Sequence, residues 1–127
     1  MKKREFRAEL MRDVASKAIR AIPRKEILSH KVQLSVAHDS SKLTIKTTYH
    51  KLQLNIYNNV DIVLYGWVND GFHPSYHRIV FDNGEDSVRI LEGNEIEAKD
   101  FDMSKDDMRE YSKRIISEIK KAYKSEY

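Results

Sequence analysis

The sequence predicts an α+β fold: an N-terminal helix, an antiparallel sheet of five to six strands built from hairpins, and a C-terminal helix. Three observations predict it. Apolar residues recur at three- and four-residue steps at both ends of the chain, the period of an amphipathic helix. Between the ends, apolar and polar residues alternate with the period of a half-buried strand. The two patterns are segregated along the chain, which argues against the alternating order of a parallel sheet.

The first helix is expected over about Arg4 to Ile22. Phe6, Leu10, Met11, Val14, Ala15, Ala18, Ile19 and Ile22 share one face, and Glu5, Glu9, Arg12, Asp13, Lys17 and Arg20 occupy the other. Asp13 precedes Lys17 by four residues, the favourable order for a helical ion pair. Pro23 drives Ile22 out of helical geometry and ends the helix, with a short second turn at Arg24 to Leu28.

The strands follow. Val32, Leu34 and Val36 alternate with Gln33 and Ser35 up to Asp39-Ser40-Ser41, and Leu43, Ile45, Thr47 and Tyr49 continue on odd numbers. Leu52, Leu54 and Ile56 then fall on even numbers, so a tight turn or bulge is required near His50-Lys51. Asn58-Asn59 suits the next hairpin turn, because Asn tolerates positive φ. Val60 to Val68 is apolar on both faces, with Ile62 and Leu64 on one and Val63, Tyr65 and Trp67 on the other. That pattern predicts a central strand covered on each side. After an Asn69–Tyr76 loop, Arg78 to Phe81 and Val88 to Leu91 are expected to pair across Asp82-Asn83-Gly84-Glu85, where Asn-Gly is a strong hairpin signal.

The last helix carries the clearest signature. Ser104 with Asp107 three residues on forms a capping box, and Met103 and Met108 sit at the positions of a hydrophobic staple. Met108, Tyr111, Ile115, Ile119 and Tyr123 then make one apolar stripe.

At 127 residues the chain has the size of one α+β domain, residues 1–127, able to hide roughly two-thirds of its unfolded surface. The absence of cysteine excludes disulfides, thiolate metal sites and a cysteine nucleophile, and leans toward a reducing, cytoplasmic setting. The basic start, Met1-Lys2-Lys3-Arg4, is not followed by the apolar core of a signal peptide. The longest apolar run, Val60 to Val68, is about half of what a membrane-spanning helix needs, so no membrane partner is expected.

The net charge of +3 hides an asymmetry. Residues 1–31 hold ten Lys/Arg against four Asp/Glu, whereas residues 82–103 hold two against eight. Such a dipolar surface is compatible with a nucleic-acid partner without demanding one.

Candidate chemistry is sparse. His73-Pro74-Ser75-Tyr76-His77 spaces two imidazoles four apart, with Asp70 nearby, but Pro74 opposes the helix that would make this spacing a metal site. No metal or cofactor is expected. Four dispersed glycines provide no phosphate loop, and no serine lies in a nucleophile-elbow setting. His73, Tyr76, His77 and Arg78 form the natural cluster for a metal-independent ribonuclease or toxin-like enzyme, an alternative reading.

Two binding surfaces stand out. Trp67, Phe72 and Tyr76 place aromatic groups around the 69–77 loop. Arg109, Lys113, Lys120 and Lys124 form a cationic row opposite the apolar stripe of the last helix, which the Lys2, Lys3, Arg4 and Arg7 cluster extends. The expected function is therefore that of a non-enzymatic binding or accessory protein. It is expected to dock on a macromolecular partner, a protein or a protein–nucleic acid complex, through helix faces or the 69–77 loop, as a monomer or a homodimer. Small size, no cysteine and no motif are similar in style to accessory proteins of phages and mobile elements. A subunit of a larger particle, such as a phage structural protein, is a third reading.

Overall fold

The two periodicities of the sequence settle into two layers, helices on one side and a six-stranded antiparallel sheet on the other, an α+β fold. The computed structural model describes residues 1–28, 31–69, 77–93, 96 and 101–124. Helix α1 (Lys3–Lys17) passes into a 3₁₀ turn at Ala18–Ala21 and, after Pro23, a short α2 (Arg24–Leu28). Strands β1 (Gln33–Val36), β2 (Lys42–Lys46), β3 (His50–Ile56) and β4 (Ile62–Val68) follow as successive hairpins. Strands β5 (His77–Arg78) and β6 (Ser87–Leu91) complete the sheet, and α3 (Lys105–Lys124) returns across it.

The expected helical signals are present as contacts. Asp13 and Lys17 pair at 2.8 Å. The Ser104 amide donates to Asp107 Oδ2 at 3.0 Å while the Asp107 amide donates to Ser104 Oγ at 3.1 Å, closing the capping box. Phe6, Leu10, Met11 and Val14 of α1 and Met108, Ile115 and Ile119 of α3 are buried, and the aromatic contact of Phe6 with Tyr111 ties the two helices together. Ile19 departs from its expected face and is 40% exposed, because the tighter 3₁₀ turn rotates it off the apolar stripe.

The sheet's inner face supplies the other half of one core. Leu43 pairs with Leu54, Ile45 with Leu52, Leu54 with Leu64 and Ile56 with Ile62, and all of them are buried. The parity switch between β2 and β3 is a hairpin: the Thr47 amide donates to the His50 carbonyl at 2.8 Å, so the turn falls slightly earlier than expected. The Asn58-Asn59 turn is also present, closed by the Val60 amide donating to Tyr57. Val60 itself adopts φ +61°, a conformation that suits glycine and strains a β-branched residue. Its complete burial in the core is what holds it there.

Three expectations are corrected. First, β5 and β6 do not form a hairpin with one another. Both run antiparallel to β4, β5 beside Trp67 and Val68 and β6 beside Ile62–Tyr65, so they lie end to end along one edge. The Asp82–Asp86 segment loops out between them, with Gly84 at φ +77° and the Phe81 amide bonded to the Glu85 carbonyl. The Asn-Gly turn forms, but the seven-residue edge of β4 offers both flanks a longer ladder than they could give each other. Second, β1 is an edge strand with every residue exposed, including Leu34 and Val36, since it lies at the far edge of the sheet from β4. Third, among the described residues the second face of β4 is only partly covered: Val63 is buried, whereas Tyr65 and Trp67 keep part of their surface in water.

Gly93 fixes the β4–β6 end of the sheet. A Cβ there would lie 1.8 Å from the Asn59 carbonyl oxygen, and its amide donates to Asp61 Oδ1. Only glycine fits this approach of two backbones.

Candidate functional site

The outer face of the sheet collects what the core rejected. By register, Lys42 lies opposite Asn55, Thr44 opposite Gln53, Lys46 opposite Lys51, Gln53 opposite Tyr65, Lys51 opposite Trp67, and Trp67 opposite Arg78. Side chains alternate along each strand, so all of these project away from the helical layer. Tyr65, Trp67, Lys51, Gln53 and Asn55 each keep part of their surface in water, and Lys42, Lys46 and Arg78 are exposed.

Two aromatic rings form the centre. Tyr65 and Trp67 lie 6.3 Å apart with their planes only 27° from parallel. Lys51 Nζ sits 5.0 Å from the Trp67 ring, a cation–π contact worth roughly 0.5–1 kcal/mol at a part-exposed site. Tyr57, 44% exposed at the end of β3, extends the aromatic row through a 3.3 Å hydroxyl contact with Tyr65. That hydrogen bond, with some burial, pushes the Tyr57 phenol above its ordinary value.

The charges on this face are not balanced. Arg78 is paired with Asp86 at 3.1 Å, and Arg89 with Glu92 at 3.2 Å. Among the described residues no ion pair engages Lys42, Lys46 or Lys51. Lys46 and Lys51 stand directly opposite one another across β2 and β3. A like-charge pair in that position costs stability, on the order of 0.2–1 kcal/mol.

A basic cleft adjoins the Tyr57 end of the face. It has a volume of about 560 Å³ and is lined by Lys3, Arg4, Arg7, His38, Asp39 and Asn58. Arg7 donates to Asn58 Oδ1 and, at 2.8 Å, to the Asp39 carbonyl, clamping α1 to the β1–β2 and β3–β4 turns. A second hollow of about 340 Å³ borders the cleft at Asp39 and Asn58 and reaches Lys42, Asn55 and Tyr57.

The residues singled out from sequence are placed as follows. Trp67 lies at the centre of the outer face, and Arg78 beside it on β5 with His77. Phe72, His73 and Tyr76, and with them most of the 69–77 loop, lie outside the described residues. Arg109, Lys113, Lys120 and Lys124 are all exposed on α3. Arg109 is paired with Asp106 at 3.1 Å and Lys113 with Glu110 at 3.3 Å, so half of that row is offset by carboxylates on its own helix. Among the described residues no group of three or more His, Asp or Glu side chains is placed to hold a metal.

Sequence reasoning missed Lys42, Lys46, Lys51, Tyr57 and Tyr65 as parts of a surface. Their signal was present in parity: once Leu52, Leu54 and Ile56 are assigned inward, Lys51, Gln53, Asn55 and Tyr57 must point outward together. It also missed a buried polar cluster at the opposite end of β3. His50 Nδ1 lies 3.5 Å from Glu26 Oε1, and its ring packs 4.9 Å from Tyr123. Burial pushes the His50 imidazole below its ordinary value, outweighing the upward pull of Glu26. The cluster pins α2, β3 and the end of α3 together, and no sequence spacing announces it because its members come from three separate elements. No family model, no characterised protein and no solved structure matches the chain, so the reading of these surfaces rests on their own geometry.

Proposed function

We propose that this is a non-enzymatic binding protein that docks on a macromolecular partner presenting negative charge, along the outer face of the sheet. One observation carries the reading: Lys46 and Lys51 face each other with no carboxylate engaged among the described residues, beside two part-exposed aromatic rings. A fold optimised only for stability would place opposite charges there, and departures from local consistency of this kind cluster at functional sites. An anionic partner would turn the repulsion into attraction. The outer face is favoured over the α3 row because Arg109 and Lys113 already have carboxylate neighbours.

Trp67 is the chain's one tryptophan, so emission excited at the red edge of absorption, where the seven tyrosines do not absorb, reports on this surface. The test titrates the protein at low salt with heparin oligosaccharide, poly-glutamate and single-stranded RNA, and compares Lys46→Glu. A polyanion should change Trp67 emission, and Lys46→Glu should weaken that binding about tenfold or more. The same substitution should stabilise the free fold by about 0.2–1 kcal/mol, because it converts a like-charge cross-strand pair into an opposite one. Silence of Trp67 toward every polyanion, or unaltered binding by Lys46→Glu, rejects the reading.

A further inference from the structure

We infer that the partner is single-stranded RNA, its bases stacked on Trp67 and Tyr65 and its backbone led past Tyr57 and Lys42 into the cleft at Arg7, Arg4 and Lys3. The inference rests on the docking reading above and names the partner of that same surface. A folded acidic protein would match the cations but offers no repeating series of flat faces to a row of rings, and a duplex hides the faces of its bases. An unpaired strand alone presents a flat π-face and a phosphate at every step.

The order of groups on the molecule matches that alternation. Trp67 and Tyr65 lie 6.3 Å apart and nearly parallel, giving two neighbouring platforms, and Tyr57 follows them. Lys46 and Lys51 flank the platforms on the side of β2 and β3. Beyond Tyr57 lies the hollow with Lys42, and across Asp39 and Asn58 from it the cleft with Lys3, Arg4 and Arg7. No ion pair engages Lys3, Arg4 or Arg7 among the described residues; Arg7 clamps Asn58 and Asp39, and Lys3 makes a cation–π contact with Phe101.

Lys51 now occupies a face of the indole where a base would lie. That contact is worth only about two- to fivefold in equilibrium terms, whereas a stacked base is worth about 5- to 150-fold. The base therefore displaces the ammonium, and the long flexible stem of Lys51 carries it to the neighbouring phosphate. Thr44, Gln53 and Asn55 form an uncharged band beside the rings, able to donate to and accept from a ribose 2′-hydroxyl, the group that separates RNA from DNA. Paired aromatics on an antiparallel sheet holding unpaired bases are an established mode of RNA recognition in other folds.

The test measures anisotropy of labelled probes with the full chain: a single-stranded RNA of roughly ten nucleotides, its DNA counterpart, the RNA duplex, and an abasic strand of equal length. The RNA should bind at least about tenfold tighter than each of the others. Trp67→Ala and Tyr65→Ala should each lose about 5- to 150-fold toward the RNA and almost nothing toward the abasic strand. Trp67→Phe keeps a platform and should stay within about fivefold of the original. Arg7→Ala should lower the salt dependence of binding by about one ion.

Melting curves followed by circular dichroism identify any variant that loses its fold, and Tyr65→Ala and Trp67→Phe then carry the comparison in place of Trp67→Ala. Equal affinity for RNA and the abasic strand overturns base stacking while leaving the polyanion reading intact. Equal affinity for DNA, or tighter binding of the duplex, overturns the choice of single-stranded RNA. Binding of heparin or poly-glutamate with none of the oligonucleotides overturns this inference alone. Binding of no polyanion at all removes the docking reading with it.

Discussion

The two faces of the same sheet obey different rules, and β4 shows both at adjacent residues. Leu64 is 1% exposed, packed between Leu54 and β6 under the helices, whereas Tyr65 on the next residue keeps part of its ring in water. The inner face is apolar apart from the His50 corner, and its pairings join like with like: Leu43 with Leu54, Leu54 with Leu64. The outer face mixes lysines, amides and rings, and even sets Lys46 against Lys51. The lesson is a division of labour. One face holds the fold, which releases the other to carry residues that contribute little to stability or oppose it.

That division is open to a direct break. Leu64→Ala should destabilise the fold by about 2–5 kcal/mol, the usual cost of a core cavity at a site that cannot collapse. Tyr65→Ala, one residue on, should cost about 1.5 kcal/mol or less, since its ring is part-solvated and its hydroxyl contacts only Tyr57 among the described residues. Urea denaturation of the two variants measures both. Equal losses would mean that the outer face is as structural as the inner one, and the case for a binding surface there would lose its footing.

The same asymmetry explains what was legible in the sequence. The inner face was readable because burial imposes period: Leu52, Leu54 and Ile56 on β3, and Met108, Ile115 and Ile119 on α3, announced their partners by spacing alone. The ends of elements were readable where local chemistry decides them, as at the Ser104–Asp107 box and the Asn58-Asn59 turn. The outer face has no such rule. Tyr57, Tyr65 and Lys42 come from different strands, and only the register of β2, β3 and β4 brings them together. The Asp82-Asn83-Gly84 turn misled for a related reason. Turn chemistry fixes a local bend, but which strands then pair is a competition settled by the free edge of β4.

A second contrast separates the polar groups of the two layers by pH. His50, beside Glu26 and Tyr123 and near Lys25, has its imidazole held below the ordinary value of 6.5, chiefly by burial. The folded state then binds fewer protons than the unfolded chain as pH falls through 6.5, so stability must fall with it. The contribution is complete above that value and is lost on acidification toward the lower folded value. Asp13, Asp39 and Asp107 are also lowered, but from 3.8, so their losses begin further down in pH. Urea midpoints at pH 8 and pH 5.5 should therefore drop for the natural chain and stay level for His50→Gln. A midpoint that rises on acidification would show instead that the Glu26 carboxylate outweighs burial.

The smallest effect expected is the most discriminating between the two cationic surfaces. On α3, Lys113 is 72% exposed and its partner Glu110 is 70% exposed, so their 3.3 Å pair is solvated on all sides. Such pairs contribute roughly 0–1 kcal/mol, and Lys113→Ala should change stability by about 0.5 kcal/mol or less. Its effect on binding separates the models more sharply. If polyanions dock on the outer face, Lys113→Ala leaves the salt dependence of affinity where it was, whereas Lys42→Ala lowers its slope by about one. If the α3 row is the docking surface, the two variants exchange behaviour. Because both lysines are exposed and neither supports the core, stability differences cannot confuse the comparison. Titrations of single-stranded RNA between low and moderate salt, with each variant in parallel, read the result as a change in slope, which reports how many phosphates the missing lysine had neutralised.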